Sequence, residues 1–379
     1  MIKIPFNKPF LTGKETQYIE EAVGSGHISG NGVFTKKCQS FFEERYHFRK
    51  TLLTTSCTDA LEMCSMLIDV QQDDEIIVPS YTFVSTVLAF TRQGAKIIFA
   101  DSEAKSPNID VFKLEQLITP KTKAIVVVHY AGVAAAMDEL MEIAKRHNLY
   151  VIEDAAQAID SFYKNKPLGS FGHLATFSFH ETKNIISGEG GLLVVNDENL
   201  VDRAEVIWEK GTNRASFFRG EVNKYGWVDT GSSFLPSEII AAFLFAQLEH
   251  LEEIQTKRKQ IWNTYYDGLS CLGNQLQLPI VPDYATNNGH MFYLVCSSEE
   301  ERTALIAHLK EHAIHSVFHY LSLHKSPYFL SYSKDIFHLP NADLYTSRLV
   351  RLPFYYELGL EDVGFIVEQI INFYVNIKK

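Results

Sequence analysis

No apolar run in the 379-residue sequence is long enough to span a bilayer. Its opening residues, MIKIPFNKPF, lack the apolar core of a secretory signal. Cysteine is scarce: Cys38, Cys57, Cys64, Cys271 and Cys296 form an odd, scattered set with no C-x-x-C pair. That pattern excludes a disulfide framework, argues against a cysteine-based structural zinc, and suits a reducing compartment. Neither charge sign forms a long block, and 35 basic against 46 acidic residues leave a net charge of −11. A general nucleic-acid binder is therefore not expected, although a local basic pocket for a phosphorylated small molecule remains open. Repeats and low-complexity segments are lacking. One further absence concerns a metal. The stretch TFSFHETKN (176–184) begins like the H-E-x-x-H helix of a metalloprotease, but the second histidine position holds Asn184. The histidines of HSVFHYLSLH (315–324) have no carboxylate beside them. The expectation is a cytoplasmic globular protein with no metal, no nucleic-acid partner and no membrane insertion.

What the sequence does contain is alternation. Hydrophobic residues make up 46% and charged residues 21%, enough for a substantial core. From residue 50 onward, apolar β-branched runs predict strands at 51–55, 75–79, 96–101, 123–130 and 149–154. Amphipathic helices are predicted between them at 58–70, 83–93, 110–118 and 137–148. This rhythm implies a mainly parallel sheet covered on both faces. Two adjacent strands, HLATFSFH and GLLVVN, should flank a loop carrying Lys183 and the glycine-rich GEGG (188–191). A long helix should run from about Ser237 past Tyr265, and the proline-bearing LPIVPDYATNNG (278–289) marks a boundary. Beyond it, strands near 290–296 and 314–319 and helices near 300–312 and 361–377 predict a small α+β domain.

Ligands of open α/β sheets sit at the carboxyl ends of the strands, and four polar features fall there. Ser56, Cys57 and Thr58 lie between a strand and a helix, where free N–H groups and the helix dipole make a phosphate cradle. The plainer reading is an ordinary N-cap. Asp154 ends an apolar strand, with Gln157 three residues on; it caps the next helix or holds a cationic ring nitrogen. Lys183, with Ser178 nearby, sits between strands, where burial lowers an amine's pKa; most lysines are simply surface charges. Tyr81 and Phe83 follow a strand and stack on a flat ring or pack in the core. Singly none of these decides. Together they are what pyridoxal 5'-phosphate (PLP) requires: a cradle, a stacking face, a carboxylate and a lysine. A dehydrogenase would need G-x-G-x-x-G after its first strand, which is absent.

With PSYTFVST, VHYAGV, VIEDAAQ, FSFHETKN and GEGG in place, the chain resembles, over essentially its whole length, the DegT/DnrJ/EryC1/StrS family of PLP-dependent sugar aminotransferases. Within that family, SFHETKN, KGTNRASFFRGEVNKYGW and DTGSSF are most similar to the transaminases that form dTDP-4-amino-4,6-dideoxygalactose for enterobacterial common antigen. The resemblance implies the type I, aspartate aminotransferase-like fold. It implies a large PLP-binding domain with an N-terminal arm (1–245) and a linking helix with a small C-terminal domain (246–379). Lys183 would bond the cofactor aldehyde, and Asp154 would pair with the pyridinium nitrogen. Gln157 would bond the ring hydroxyl, Phe83 would stack, and Cys57, Thr58 and Ser178 would bind the phosphate. Ser233 matches a position where many relatives carry Asn and reach the phosphate of the neighbouring subunit, so a homodimer with shared sites is implied. His319 and Tyr320 become substrate candidates, in a segment whose usual H-Y-x-P-L-H has Ser322 in place of proline. Arg219 is placed at the nucleotide diphosphate, or is a surface arginine. The implied reaction passes an amine from L-glutamate to a nucleotide-linked 4-keto-6-deoxyhexose, taken as dTDP-4-dehydro-6-deoxyglucose. Amination at C3, a UDP- or GDP-sugar, and a non-catalytic PLP-binding sensor are the alternatives. A PLP-dependent sugar dehydratase is disfavoured, because those enzymes replace the lysine with histidine.

Overall fold

In the computed structural model, which describes residues 2–377, a seven-stranded sheet forms the centre of the molecule. Its strands are β1 (Lys50–Thr54), β2 (Glu75–Pro79), β3 (Lys96–Ala100), β4 (Thr122–Val128) and β5 (Tyr150–Asp154). A short hairpin, β6 (Phe162–Tyr163) and β7 (Lys166–Pro167), separates these from β8 (Leu174–Ser178) and β9 (Gly191–Val195). The spatial order is β1-β9-β8-β5-β4-β2-β3, and β9 is the one strand that runs against the others. The expected mainly parallel sheet is therefore present.

Both faces of this sheet are dry. In β4, Ile125 and Val127 point into one core with Leu53, Ile77 and Phe177. Ala124 and Val126 point into the other with Leu52, Ile76 and Ile152. This two-sided burial is why the strands read as continuous apolar runs rather than alternating ones. Helices cover both faces, and their ends follow local chemistry. The helix Cys57–Leu67 starts where Ser56 Oγ accepts the Asp59 N–H at 3.1 Å. The helix Met137–His147 carries Asp138 and Glu139 in its first turn and Lys145, Arg146 and His147 in its last, matching its dipole. It stops at Asn148, which adopts the left-handed conformation (φ 54°). The buried Glu238 carboxylate accepts the N–H groups of Gly32, Phe34 and Thr35, and so caps the helix Val33–Tyr46 across the fold.

A second, three-stranded antiparallel sheet has the order β10 (Tyr293–Val295), β12 (Leu349–Arg351), β11 (Val317–Phe318). The helices Leu251–Leu269, Glu299–Glu311 and Leu360–Ile377 pack around it in a separate core that includes Tyr265, Phe292, Leu309, Val350 and Ile366.

Two sequence expectations are corrected. Residues 110–118 form two 3₁₀ turns, Val111–Lys113 and Glu115–Leu117, rather than a helix. Val111 and Leu114 are its fully buried apolar anchors, three residues apart, and Pro120 prevents extension. The long helix after Ser237 is two helices, Glu238–Leu248 and Leu251–Leu269, broken at His250 (φ −103°, ψ 12°). Neither proline nor glycine marks this break. At the break, Glu249 accepts the Tyr18 hydroxyl at 2.6 Å, and His250 pairs with Glu253 at 3.1 Å.

Candidate active site

The carboxyl ends of β1, β4, β5 and β8 open into a cavity of about 470 Å³. Nine predicted site residues line it: Cys57, Thr58, Phe83, Asp154, Gln157, Ser178, Lys183, His319 and Tyr320. They come from five separate segments of the chain, 57–58, 83, 154–157, 178–183 and 319–320, so the topology, not sequence proximity, assembles them.

Asp154 is the last residue of β5, and strand alternation sends it and Glu153 to opposite faces. Glu153 turns into the core, where it bonds His129 Nε2 at 3.0 Å and accepts the N–H groups of Gly169, Phe171 and Gly172. These bonds lock the strand end. Asp154 turns toward the cavity, accepting the Thr86 hydroxyl at 2.7 Å and the Ala156 N–H at 3.2 Å. Burial pushes its pKa up; Thr86, Ala156, Lys183 and His129 pull it back. A buried carboxylate in this condition is stabilised by a cation brought to it.

Lys183 lies in the loop between β8 and β9, where its N–H closes a turn on His180 O at 2.9 Å. Its amine has no hydrogen-bond or ion-pair partner among the described residues. Burial lowers its pKa, Cys57 and Asp154 oppose that shift, and the charge of Arg351 adds to it. That is the direction of shift a nucleophilic or basic amine needs. The position that would complete a metalloprotease motif, Asn184, is buried behind the lysine. Its amide donates to Gln255 Oε1 and Asn288 O at 2.8 and 2.9 Å and meets His290 Nδ1 at 2.9 Å. These bonds fix the loop that presents Lys183.

At the helix start the N–H groups of Cys57 and Thr58 meet no acceptor among the described residues, and both residues line the same cavity. Gly191 explains part of the GEGG motif. A Cβ there would collide with the backbone of Ser56 and Cys57, so only glycine lets β9 pass beneath the cradle. Thr58 Oγ1 meets Ser85 Oγ at 2.7 Å, and Ser178 ends β8 beside them. Burial raises the Cys57 thiol pKa strongly, so its sulfur stays neutral.

The other predicted residues are placed as follows. Phe83 is 56% exposed at the cavity mouth, near Tyr320. Tyr81 is fully buried instead, against Tyr130, Tyr320 and Tyr345, so of the two aromatics only Phe83 reaches the cavity. Both ends of the Gln157 amide are engaged: Oε1 accepts the Ala131 N–H at 2.6 Å, and Nε2 donates to the Tyr320 hydroxyl at 2.9 Å. The first bond holds Ala131 at φ 56°, a turn that few residues other than glycine adopt. His319 bonds the Tyr130 hydroxyl at 2.6 Å and stacks on Tyr320 at 3.6 Å. Burial, then the Arg351, His290 and Lys183 charges, keep its imidazole neutral. Ser322 retains φ −59°, the angle proline would fix, so the loss of proline leaves this turn in place.

Ser233 and Arg219 lie outside the cavity. Ser233 is exposed, and its backbone bridges to Glu209. Arg219 is held by Glu205 at 2.6 Å and Glu221 at 2.7 Å. Sequence reading missed Thr86, His290 and Arg351. Thr86 sits inside a helix and looks like a helix residue of no special role. Arg351 stands on a three-residue strand too short to give a periodic signal.

Cradle, base, carboxylate and aromatic cover suit PLP. Lys183 and the buried Asp154 carboxylate line one cavity together with the start of the helix Cys57–Leu67 and the hydroxyls of Thr58 and Ser178. The fold and this site define a PLP-dependent aminotransferase of the type I, aspartate aminotransferase-like class. The chain belongs to the DegT/DnrJ/EryC1/StrS aminotransferase family, whose model matches residues 9–371. It is 34% identical over 372 residues to GDP-perosamine synthase of Escherichia coli O157:H7, covering 98% of each chain. It is 32% identical to the spore coat polysaccharide biosynthesis protein SpsC of Bacillus subtilis, covering 97% of this chain and 96% of that one. Among solved structures, Spr1654 of Streptococcus pneumoniae superposes with a TM-score of 0.91 at 25% identity, covering 99% of this chain and 100% of that one. That protein has been solved in PMP, PLP and apo forms. The chain is thus a PLP-dependent transaminase acting on a sugar nucleotide.

When bound, PLP supplies the electron sink for the carbanion left when a proton is removed beside the amine. Asp154 would hold the ring nitrogen of the cofactor and keep it protonated. Lys183 would hold the cofactor, and its Nζ would serve as the base that takes the proton from the amino-bearing carbon. Phe83 shields one side of the cavity mouth.

Proposed function

We propose that the chain transfers the amino group of L-glutamate to C4 of a nucleotide-linked 4-keto-6-deoxyhexose, with dTDP as the nucleotide and dTDP-4-amino-4,6-dideoxygalactose as product. The lining of one cavity by Lys183, Asp154 and the helix start at Ser56–Thr58 supports the reaction class. The choice of substrate rests on the motifs SFHETKN, KGTNRASFFRGEVNKYGW and DTGSSF. A GDP-linked sugar is the second reading, favoured by the similarity to two GDP-perosamine synthases, each 34% identical over the matched region. The test supplies purified protein with glutamate and dTDP-, GDP- or UDP-linked 4-keto-6-deoxyhexoses, and reads the product by NMR. The expected result is nitrogen on C4 of the dTDP sugar. Turnover of the GDP sugar alone would select the second reading, and nitrogen on C3 would remove both.

We further propose that Gln157, Cys57, Thr58, Phe83 and Ser178 bind the cofactor, His319 and Tyr320 meet the sugar, and Ser233 serves the site of a second copy. The exposed position of Ser233 supports the last point. So do the neighbouring apolar side chains left in solvent, Phe218 at 70% and Trp227 at 84% exposure. Sedimentation should give a dimer mass; a fully active monomer would overturn the shared site. Arg219 keeps its place at the sugar nucleotide only if a partner frees it from Glu205 and Glu221. No helix among the described residues is long and apolar enough to cross a membrane, and all five cysteines are free. We take the chain as a cytoplasmic enzyme of polysaccharide synthesis, the latter on its similarity to the spore coat polysaccharide biosynthesis protein SpsC.

A further inference from the structure

His324 closes the segment HSVFHYLSLH, and one of its ring nitrogens has nothing to bond. The residue is buried, 4% exposed. Nδ1 lies 2.7 Å from Ser80 Oγ. Nε2 is sealed from solvent and has no hydrogen-bond partner among the described residues; the Asp343 Oδ1 carboxylate oxygen lies 3.7 Å away. Burial lowers the imidazole pKa, Asp343 opposes that shift and Lys325 adds to it, so at pH 7 the ring is chiefly neutral. A neutral imidazole donates from one nitrogen and accepts at the other. A bare lone pair on Nε2 would face the Asp343 carboxylate, whereas an Nε2–H is drawn to it. The favoured arrangement therefore has the Ser80 hydroxyl donating to Nδ1. The line of serine, histidine and aspartate resembles a hydrolase triad with the two nitrogens exchanged, but Ser80 is fully buried and no substrate reaches it.

What this line holds is the segment that lines the cavity. Ser80 directly follows β2, and its own N–H donates to Ala100 O at 3.1 Å, so it is fixed to the large sheet. Besides meeting the ring, it accepts the Leu323 N–H at its carbonyl (3.0 Å) and the His324 N–H at Oγ (3.4 Å). Ser322 Oγ adds a bond of 2.8 Å to Thr346 Oγ1 on the helix Pro340–Arg348. Between β11 and these anchors, the N–H groups of Tyr320, Leu321 and Ser322 meet no backbone acceptor among the described residues. No ladder of hydrogen bonds therefore sets the position of Tyr320, and the anchors at 322–324 do so instead. Lys183 and Asp154 are held independently, through Asn184 and through Thr86 and Ala156. A ring that only filled space at 324 would need no nitrogen left unpaired in the interior, which is unfavourable. The polar ring is explained by its directional bond to Ser80.

We propose that His324 is a positioning residue that clasps the segment 319–323 onto the end of β2, and that through His319 and Tyr320 it sets the affinity for the sugar nucleotide while leaving the glutamate half of the reaction alone. This rests on the reading above that His319 and Tyr320 meet the sugar. His324 itself touches neither substrate nor cofactor.

The test compares cofactor-loaded wild type, His324→Leu and His324→Asn. The two replacements are close in size, but only asparagine offers an amide oxygen in the place of Nδ1. In the second half-reaction, started from amine-loaded protein and followed by stopped flow, His324→Leu should raise the Kd of the sugar nucleotide about tenfold, the effect of losing one buried hydrogen bond. His324→Asn should restore it to within about threefold of wild type. The glutamate half-reaction should stay within about threefold in both variants. Hydrogen exchange of the amides 320–325 needs no substrate; it should quicken about tenfold in His324→Leu and recover in His324→Asn. Should His324→Leu not fold, Ser80→Ala removes the same bond from the other side and takes its place. A sugar nucleotide Kd equal to wild type in the folded leucine variant overturns the proposal. So does an asparagine variant as impaired as the leucine one, or an equal loss in both half-reactions, which would make His324 a residue of general stability. If the wild type aminates no keto sugar, the substrate reading fails, and the exchange measurement still decides whether His324 holds the segment.

Discussion

Lys183→Ala should abolish transamination while leaving the fold intact. The loss should be about 10⁴-fold or more, because the substitution removes the general base, worth roughly two to four orders of magnitude, and also the covalent anchor of the cofactor. Stability should change little. The lysine amine makes no hydrogen bond or ion pair among the described residues, and burial already disfavours its charged form. The loop that carries it is held by other groups, chiefly the Asn184 amide and its bonds to Gln255, Asn288 and His290. Steady-state turnover and a thermal melt check both halves of this expectation. Turnover within tenfold of wild type would remove Lys183 from the chemistry, since the loss of a base alone exceeds that.

Asp154→Asn should keep the fold and bind cofactor, yet slow the glutamate half-reaction by about two to three orders of magnitude, the usual loss when one preorganised electrostatic partner is removed. The amide is isosteric; its one oxygen still accepts the Ala156 N–H, and its NH2 replaces the oxygen that accepts the Thr86 hydroxyl, which can turn to accept instead. What it lacks is the negative charge that keeps a proton on the ring nitrogen. Single-turnover stopped flow reads the rate. An unchanged rate would leave Asp154 as a cap for the turn after β5 and nothing more.

The large sheet was legible because its strands are buried on both faces. Runs such as EIIVP and KAIVVV have no solvated side to interrupt them, and β2 falls at the residues its apolar run predicts. Lys183 and Asp154 were legible for a related reason: each is a charged residue beside such a run, where burial makes charge conspicuous. Where tertiary contacts override local pattern, the sequence misled. The apolar spacing of AQLEHLEE (246–253) continues through residue 250, yet the helix breaks at His250, beside the pairing of Glu249 with Tyr18, more than 200 residues away in the chain. Tyr81 and Phe83 are equivalent aromatics in PSYTF, and only the packing of Tyr130, Tyr320 and Tyr345 shows that Tyr81 belongs to the core. Thr86 and Arg351 carried no local signal at all. One is inside a helix and the other on a three-residue strand, and each acquires its role from what the fold places opposite it.

The central claim, that Lys183 and Asp154 serve amine transfer rather than the mere holding of a cofactor, is tested most directly by one absorbance measurement. Purified wild-type protein loaded with PLP should be yellow. On addition of L-glutamate without a keto sugar, the visible band should bleach once, stoichiometrically with sites, and one equivalent of 2-oxoglutarate should appear. A visible spectrum unmoved by glutamate, with no 2-oxoglutarate released, would contradict the account and leave a protein that binds PLP without transferring an amine.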